Sequence, residues 1–400
     1  MPAIHDVWGR KVVRLPDRGV LLYATDLQGN RRDYERMKAI YDAEVYLGND
    51  PILVFCGDMV HGPSPDLNAP GAWPEHLGTP YVDESAALIC DYEVWRRTHR
   101  TFSLLGNHEH AHIGGPVVPK FYPDEAAVLD EALGAERARL HAFFRDFPLI
   151  AVAPNGLVLT HGAPYMAPPS LSAYERMDYA GYKHVSINEM YRHDPLASIL
   201  WARGASEAQA QRFLDKVGGT LVAHGHDVVH EGYETTGDEQ ICLSTSYGLR
   251  DADKVYLRVD LSEPCPHATE LWREGCIRYL YSINDPSLPL TRPRQVEAGA
   301  LISGYEDGFY TRGEVLGHLP QILFSCTEAD LIDLWHSLPE LWAEELRTIW
   351  RDFDASKMPS SEPSWGLTGC KGNPHRGHRE MCRTKTLLQK HGLLFAEQPR

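Results

Sequence analysis

The sequence predicts an α/β layered core with a mixed sheet, followed by a mostly helical C-terminal extension. Three observations predict it. Short apolar runs alternate with helical patterns up to about residue 260, the alternation closes in a run of strands, and the texture changes after Pro264. Strands that alternate with helices and then follow one another build a layered sheet of mixed direction. The 400 residues are 43% hydrophobic and 24% charged, which excludes disordered and collagen-like chains.

Gly19 to Asp26 (GVLLYATD) reads as a buried strand, and RRDYERMKAIYDAEVYLG as an amphipathic helix ending at Gly48. PILVFCGD, ESAALICDYEVWRRTHR and TFSLLGN continue as strand, helix and strand. The Pro-rich stretch Gly62–Pro74 is a loop. EAAVLDEALGAERARLHAFFRDF reads as helix, then LIAVAP and GLVLTHG form a strand pair turning at Asn155-Gly156. An Asn-Gly pair between apolar runs is a strong hairpin signal. Helices around Pro195–Trp201 and Ala205–Val217 lead to the strands GTLVAHGH, DVVHEGYET, EQICLSTSY and KVYLRVD. Beyond that point TEADLIDLWHSL and PELWAEELRTIWRDF carry Leu and Trp at helical spacing, the pattern of a core. The boundary falls at 264/265, giving a domain over 1–264 and an extension over 265–400 with a basic tail.

Lys plus Arg number 39 and Asp plus Glu 55, a net charge of −16. So acidic a surface repels phosphate backbones, which argues against general nucleic-acid or anionic-membrane binding. No uncharged apolar run approaches the roughly 18 residues of a membrane span. The start, MPAIHDVWGRKVV, lacks the apolar core of a signal peptide. The eight cysteines are scattered. A cytoplasmic setting is expected, with cysteines as free thiols or metal ligands.

The chemistry-bearing residues gather where strands end. Strand one ends in Thr25-Asp26-Leu27-Gln28-Gly29-Asn30, strand two in Gly57-Asp58, and strand three in Gly106-Asn107-His108-Glu109. Later strands end in Thr160-His161-Gly162 and His224-Gly225-His226-Asp227. In open α/β sheets the ligand crevice lies at the carboxyl ends of strands. Oxygen donors mixed with imidazole suit manganese, iron or zinc. One strand-end Asp is an ordinary turn residue; five such ends in order point to a metal centre.

This order (Asp-x-Gln-Gly-Asn, Gly-Asp, Gly-Asn-His-Glu, His-Gly, Gly-His) resembles the calcineurin-like metallophosphoesterases, and within them the PPP-type serine/threonine protein phosphatases. FRDFPLIAVAPNGLVLTHGAP, SILWAR, HDVVHEGYE and STSYG are also similar to segments of that family. The resemblance implies a four-layer α/β/β/α sandwich and two divalent metal ions. It implies Asp26 and Gln28 on the first ion, Asp58 bridging, and Asn107, His161 and His226 on the second. Two ions about 3.5–4 Å apart clamp a phosphoryl group and lower the pKa of a bridging water. The implied reaction is hydrolysis of a phosphate monoester, on a phosphoprotein or small molecule, by a metal-bridging hydroxide. His108 would protonate the leaving oxygen. Arg203 is a candidate phosphate clamp, because a planar guanidinium matches two phosphoryl oxygens, and Tyr247 and Asn107 would help bind substrate. His224 is a second candidate beside His226, with the register of HDVVHEGYE favouring His226.

The chain also departs from the pattern. Gln28 replaces the family's first-metal histidine and is a weaker ligand. GDMVHGPSP puts His61 where the family has the Asp that orients the acid histidine, and Gly62 where it has a phosphate-binding Arg. His61 is either a donor or acid partnered with His108, or a solvated loop residue. These changes leave two alternatives open: a phosphodiesterase on a small substrate, or a pseudophosphatase that binds partner proteins through its extension.

His108-Glu109-His110-Ala111-His112 also satisfies H-E-x-x-H. A zinc-protease reading needs a helix through both histidines, yet a strand runs straight into the motif and Gly114-Gly115-Pro116 follows it. His110 and His112 are therefore expected at the rim. In the tail, Cys370, His375, His378 and Cys382 could close a structural zinc site, though at no standard finger spacing. No Gly-rich loop with Lys-Ser/Thr and no Gly-x-Ser-x-Gly elbow is present, so a motor, a kinase or a serine hydrolase finds no support.

Overall fold

An apolar run bounded by glycine, proline or charge becomes a strand buried on both faces. In the structure, a computed structural model, residues 7–271, 274–281, 294–306, 311–324, 326, 328–353 and 374–394 are described. The strands are β1 (Val12–Arg14), β2 (Val20–Ala24), β3 (Pro51–Phe55), β4 (Thr101–Ser103), β5 (Ile150–Val152), β6 (Leu157–Thr160), β7 (Leu221–His224), β8 (Tyr233–Thr236), β9 (Gln240–Leu243), β10 (Val255–Asp260) and β11 (Ile277–Tyr279). Between them run α1 (Arg31–Tyr46), α2 (Ser85–Trp95), α3 (Asn107–His110), α4 (Glu125–Leu133), α5 (Arg137–Arg145), α6 (Ile187–His193), α7 (Pro195–Trp201) and α8 (Glu207–Val217).

Two mixed sheets result, ordered β1-β5-β6-β7-β9-β8 and β11-β10-β2-β3-β4. β2, β3 and β4 are parallel, as are β6, β7 and β9, while β5 and β6 form the antiparallel hairpin expected at Asn155-Gly156. Alternate residues point to opposite faces of a strand. Leu21 and Tyr23, Ile52 and Val54, Leu157 and Leu159, Leu221 and Ala223, and Val255 and Leu257 accordingly join one buried cluster between the sheets. The opposite faces carry helices: α1 packs on β2 and β3, and α8 on β7. All three parallel strands of each sheet end on the same side, so their polar tips converge.

The reading of 125–147 as one helix meets a break. Gly134 adopts φ 51° and α4 gives way to α5 across a short 3-10 turn. Past β10 the chain stays with the first unit longer than the 264/265 boundary expected. β11 pairs antiparallel with β10 and sends Ile277 into the inter-sheet core. The compact units are Met1–Leu280 and Tyr281–Arg400.

The second unit is helical, with α9 (Arg294–Glu306), α10 (Arg312–Phe324), α11 (Glu328–Ser337), α12 (Glu340–Asp352) and α13 (Pro374–Lys390). The helically spaced residues are core, as their spacing implies: Trp335, Trp342, Leu346 and Trp350 are buried together. The basic tail forms α13, whose Met381 and Leu388 join that core. Of the possible tail zinc ligands, Cys370 and the side chains of His375 and His378 lie outside the described residues, and Cys382 is half-buried and in no disulfide. Cys56, Cys90, Cys242, Cys265, Cys276 and Cys326 form no disulfide either. Among the described residues no helix is long and apolar enough to cross a membrane.

Candidate metal centre

Where a buried strand meets a polar turn, the backbone must change direction at once. Asp26, Gln28, Asp58, His61 and His226 all do so with positive φ, between 41° and 70°. Few non-glycine residues adopt this left-handed region. Neighbouring strand ends hold each other there. Gln28 N–H donates to Asp58 O at 2.8 Å, Tyr247 N–H to Asp26 O at 3.0 Å, and His226 N–H to Asp26 Oδ2 at 3.0 Å. Gly106 permits the closest approach, since a Cβ there would lie 2.2 Å from Asp58 Oδ1.

Asp58, Asn107, His161 and His226 come together. His161 Nδ1–H donates to Cys56 O at 2.7 Å, so Nε2 carries the lone pair. That Nε2 lies 3.1 Å from Asn107 Oδ1, 3.1 Å from His226 Nδ1 and 3.5 Å from Asp58 Oδ1. Lone-pair atoms crowded this way repel unless a cation lies among them. Ligands about 2.0–2.2 Å from a tetrahedral ion sit about 3.3–3.5 Å apart, which is close to this spacing. The residues of the second-metal position therefore fit a divalent ion. His224 is not in this group. Its ring donates through Nδ1 to Gly225 O, and burial pushes its pKa down to about 4.

Buried carboxyls tell the same story. Burial pushes Asp26 up to about 7, with Asp58 adding to the rise, and pushes Asp58 itself up to about 7. Glu109 behaves likewise, through burial first and then Asp58. Its two oxygens accept from Asp58 N–H (2.9 Å), Gly106 N–H (3.1 Å) and Met59 N–H (2.8 Å), clamping the β3 and β4 loops together. A bound dication would reverse the penalty on ionised Asp26 and Asp58.

The histidines outside the ligand set form a chain. His108 N–H donates to Asp58 Oδ1 at 3.1 Å, and its ring Nε2 lies 3.7 Å from Asp58 Oδ2. His108 Nδ1 is 2.8 Å from His61 Nδ1, His61 Nε2 is 2.9 Å from His112 Nε2, and His112 Nδ1 is 2.8 Å from Asp130 Oδ1. Asp130 Oδ1 also accepts from His141 Nε2 at 2.7 Å. Burial lowers the pKa of His61, His108 and His112, so all three rings are neutral near pH 7. A carboxylate only accepts, which fixes His112 as Nδ1–H and orients each neutral ring in turn. His61 is thus not a solvated loop residue, and His110 and His112 are not at the rim. His110 is fully buried and donates through Nε2 to Tyr179 O at 2.8 Å. The H-E-x-x-H segment fails as a helix because α3 stops at His110, so His108 and His112 meet through His61 instead.

Around the rim, Arg203 donates to His226 O (3.0 Å) and Asp227 Oδ1 (2.8 Å), with its side chain 60% exposed. Lys120 is exposed along its chain, but its ammonium reaches inward to Gln28 Oε1 at 2.6 Å, 3.5 Å above the Tyr247 ring. Burial of that end pulls its pKa down to about 8, against the pull of Asp58 and Asp26. Burial pushes Tyr247 up to about 12, so its hydroxyl stays neutral.

A family model of calcineurin-like phosphoesterases matches residues 20–239, which include strands of both sheets and every ligand above. The chain belongs to the calcineurin-like phosphoesterases. As a member of that family it is a metal-dependent phosphoesterase of mixed α/β fold. None of the curated proteins matches it. Among solved structures, a serine/threonine phosphatase from Saccharomyces cerevisiae is 17% identical, over 63% of this chain and 77% of its own, with a TM-score of 0.41. A metallophosphoesterase from Sphaerobacter thermophilus is 14% identical, over 73% and 95%, with a TM-score of 0.35. A cold-active protein-tyrosine phosphatase from a psychrophilic Shewanella is 13% identical, over 63% and 78%, with a TM-score of 0.41.

For a calcineurin-like phosphoesterase the first-metal position is unusual. Asp26 and Gln28 stand at the β2 end as expected, but the Gln28 oxygen is already engaged by Lys120, so this half fits a second divalent ion poorly. Gly62 leaves no room for a side chain, because a Cβ would lie 2.6 Å from both Asp83 Oδ1 and Gln28 O. Glu109 was visible only as part of its motif, and Lys120, Asp130 and His141 gave no signal at all.

Proposed function

We propose that this centre hydrolyses phosphate monoesters and holds its divalent ion between Asp58, Asn107, His161 and His226. The supporting observation is the cluster of lone-pair atoms 3.1–3.5 Å around His161 Nε2, with the His108 ring beside it. Manganese, iron or zinc suits this donor set. When bound, such an ion stabilises phosphoryl charge and acidifies the attacking water.

The chain's own residues do the rest. A monoester carries about two negative charges near pH 7, and Lys120 and Arg203 bring two positive charges to the mouth of the site. Tyr247 supports Lys120 from below. The oxygen of water forms the new P–O bond, the ester P–O bond breaks, and the leaving oxygen takes a proton from His108 Nε2. In the neutral chain that nitrogen is bare. One proton taken up at His108 Nε2 lets its Nδ1–H pass to His61, the His61 Nε2–H pass to His112 and the His112 Nδ1–H pass to Asp130, which reverses each hydrogen bond and leaves Nε2–H on His108. The arriving dianion favours that extra proton. Positioned acid catalysis contributes roughly a hundred- to ten-thousand-fold.

The test is turnover of p-nitrophenyl phosphate and of its bis-ester by manganese-loaded protein, with Asp58→Asn as control. The monoester should turn over faster, and Asp58→Asn should lose both turnover and bound metal. A preference for the bis-ester would replace this reading with a phosphodiesterase. Metal-loaded protein inert towards both would instead mark a binding protein.

A further inference from the structure

A metal position can be filled by a cation that the chain itself carries. Asp26 and Gln28 offer a carboxylate and a neutral amide oxygen to the first-metal position, with Asp58 across from them. An amide oxygen is a weak metal ligand but a good acceptor for an ammonium, and Lys120 Nζ donates to Gln28 Oε1 at 2.6 Å. Charge-assisted contacts are this short. The same ammonium lies 3.5 Å over the Tyr247 ring, inside cation–π range.

Lys120 is not a swinging surface lysine. The N–H groups of Lys120 (3.1 Å), Phe121 and Tyr122 (3.0 Å) all donate to Glu125 Oε1, which ties this segment to the first turn of α4. Phe121 packs edge-on against Tyr247 at 6.2 Å, fixing the segment from a second side. Charge balance agrees. Asp26 and Asp58 carry two negative charges, which one divalent ion already cancels. A second divalent ion would add two charges against a neutral amide, whereas the ammonium adds one. Gly62 presents no side chain at this edge, so a cation for the substrate must come from another segment.

We propose that Lys120 is the built-in cation of the Asp26–Gln28 position, so that the centre takes one divalent ion and faces the substrate's phosphoryl oxygens with the lysine as its second positive charge. This rests on the metal-dependent phosphoesterase reading above and specifies its metal count.

The experiment is metal content by mass spectrometry after loading with excess Mn²⁺ and desalting, on the full chain, with circular dichroism to establish folding. Wild type should hold close to one ion per chain. The double variant Gln28→His with Lys120→Ala should rise towards two. Lys120→Ala alone should raise KM for p-nitrophenyl phosphate, and Ki for inorganic phosphate, at least tenfold, while Lys120→Arg restores part of the loss. Two ions in wild type, or a folded double variant that stays at one, would overturn the proposal. Protein that holds no ion and turns over no ester would sink the phosphoesterase reading itself, a different result from two ions with full turnover.

Discussion

His110 offers the sharpest pH test, because its environment is closed. The ring is fully buried, donates through Nε2 to Tyr179 O, and leaves Nδ1 without a partner. Burial lowers its pKa from 6.5 to about 4. As pH falls through 6.5 the unfolded chain takes up a proton at this residue, and the folded protein does so only near 4. Stability therefore drops between those limits and is flat on either side. The gap of about 2.5 units, at about 1.36 kcal/mol each, gives about 3 kcal/mol below pH 4 and about 2 kcal/mol at pH 5. That is a sizeable part of a typical 5–15 kcal/mol. Other buried groups titrate in the same range, and the raised carboxyls push in the opposite direction, so the assay must be a difference. Urea unfolding of wild type and His110→Gln, from pH 7.5 to 5, isolates the one ring while retaining its donor. The variant's deficit should shrink by about 2 kcal/mol on going to pH 5. A deficit constant to within about 0.5 kcal/mol would refute the reasoning.

Two further substitutions probe the centre. Glu109→Gln puts an amide NH2 where three backbone N–H groups need acceptors, so at least one buried donor loses its partner. Urea unfolding at pH 8 should show a loss of about 2–4 kcal/mol; a loss under about 0.5 kcal/mol would mean the clamp is not made. His61→Leu disconnects His108 from His112 and Asp130. The kcat for p-nitrophenyl phosphate should fall about a hundredfold with KM within a few-fold, and the limb of the pH profile that reports the acid should disappear. An unchanged profile would show that His108 works without the chain.

The strand-end residues were legible because two constraints coincide there. Strands buried on both faces must be apolar, so the first polar residue after each run stands out, and parallel strands must present those residues on one side. That logic reached Asp26, Asp58, Asn107, His161 and His226. It could not reach Lys120, which lies in an irregular segment and meets Gln28 across 92 positions of chain. Nor could it reach Asp130 and His141, which lie inside the helix read over 125–147 and not at a strand end. They converge because Gly134 breaks what looked like one helix, which lets His141 of α5 reach Asp130 of α4 at 2.7 Å. Arg203 was reached by its type, but Asp227 holds it at the rim, an ion pair with no local sequence signature.

Backbone strain bears on whether this centre is at work. Of the six non-glycine residues with positive φ among those described, five are Asp26, Gln28, Asp58, His61 and His226. Each costs of order 1–3 kcal/mol relative to a residue at ease in that region, and glycine would remove most of it. Asp tolerates the conformation better than Gln does, so Gln28 at φ 41° is among the least comfortable of the five. A centre relieved of chemistry gains nothing by holding side chains there, since glycine would satisfy the turns more cheaply. Of the three departures from the family pattern, Gly62 is a glycine, whereas Gln28 and His61 are each held in strained backbone and engaged, one by Lys120 and the other by His108 and His112. Departures held at such cost are the marks of a rebuilt centre rather than an abandoned one.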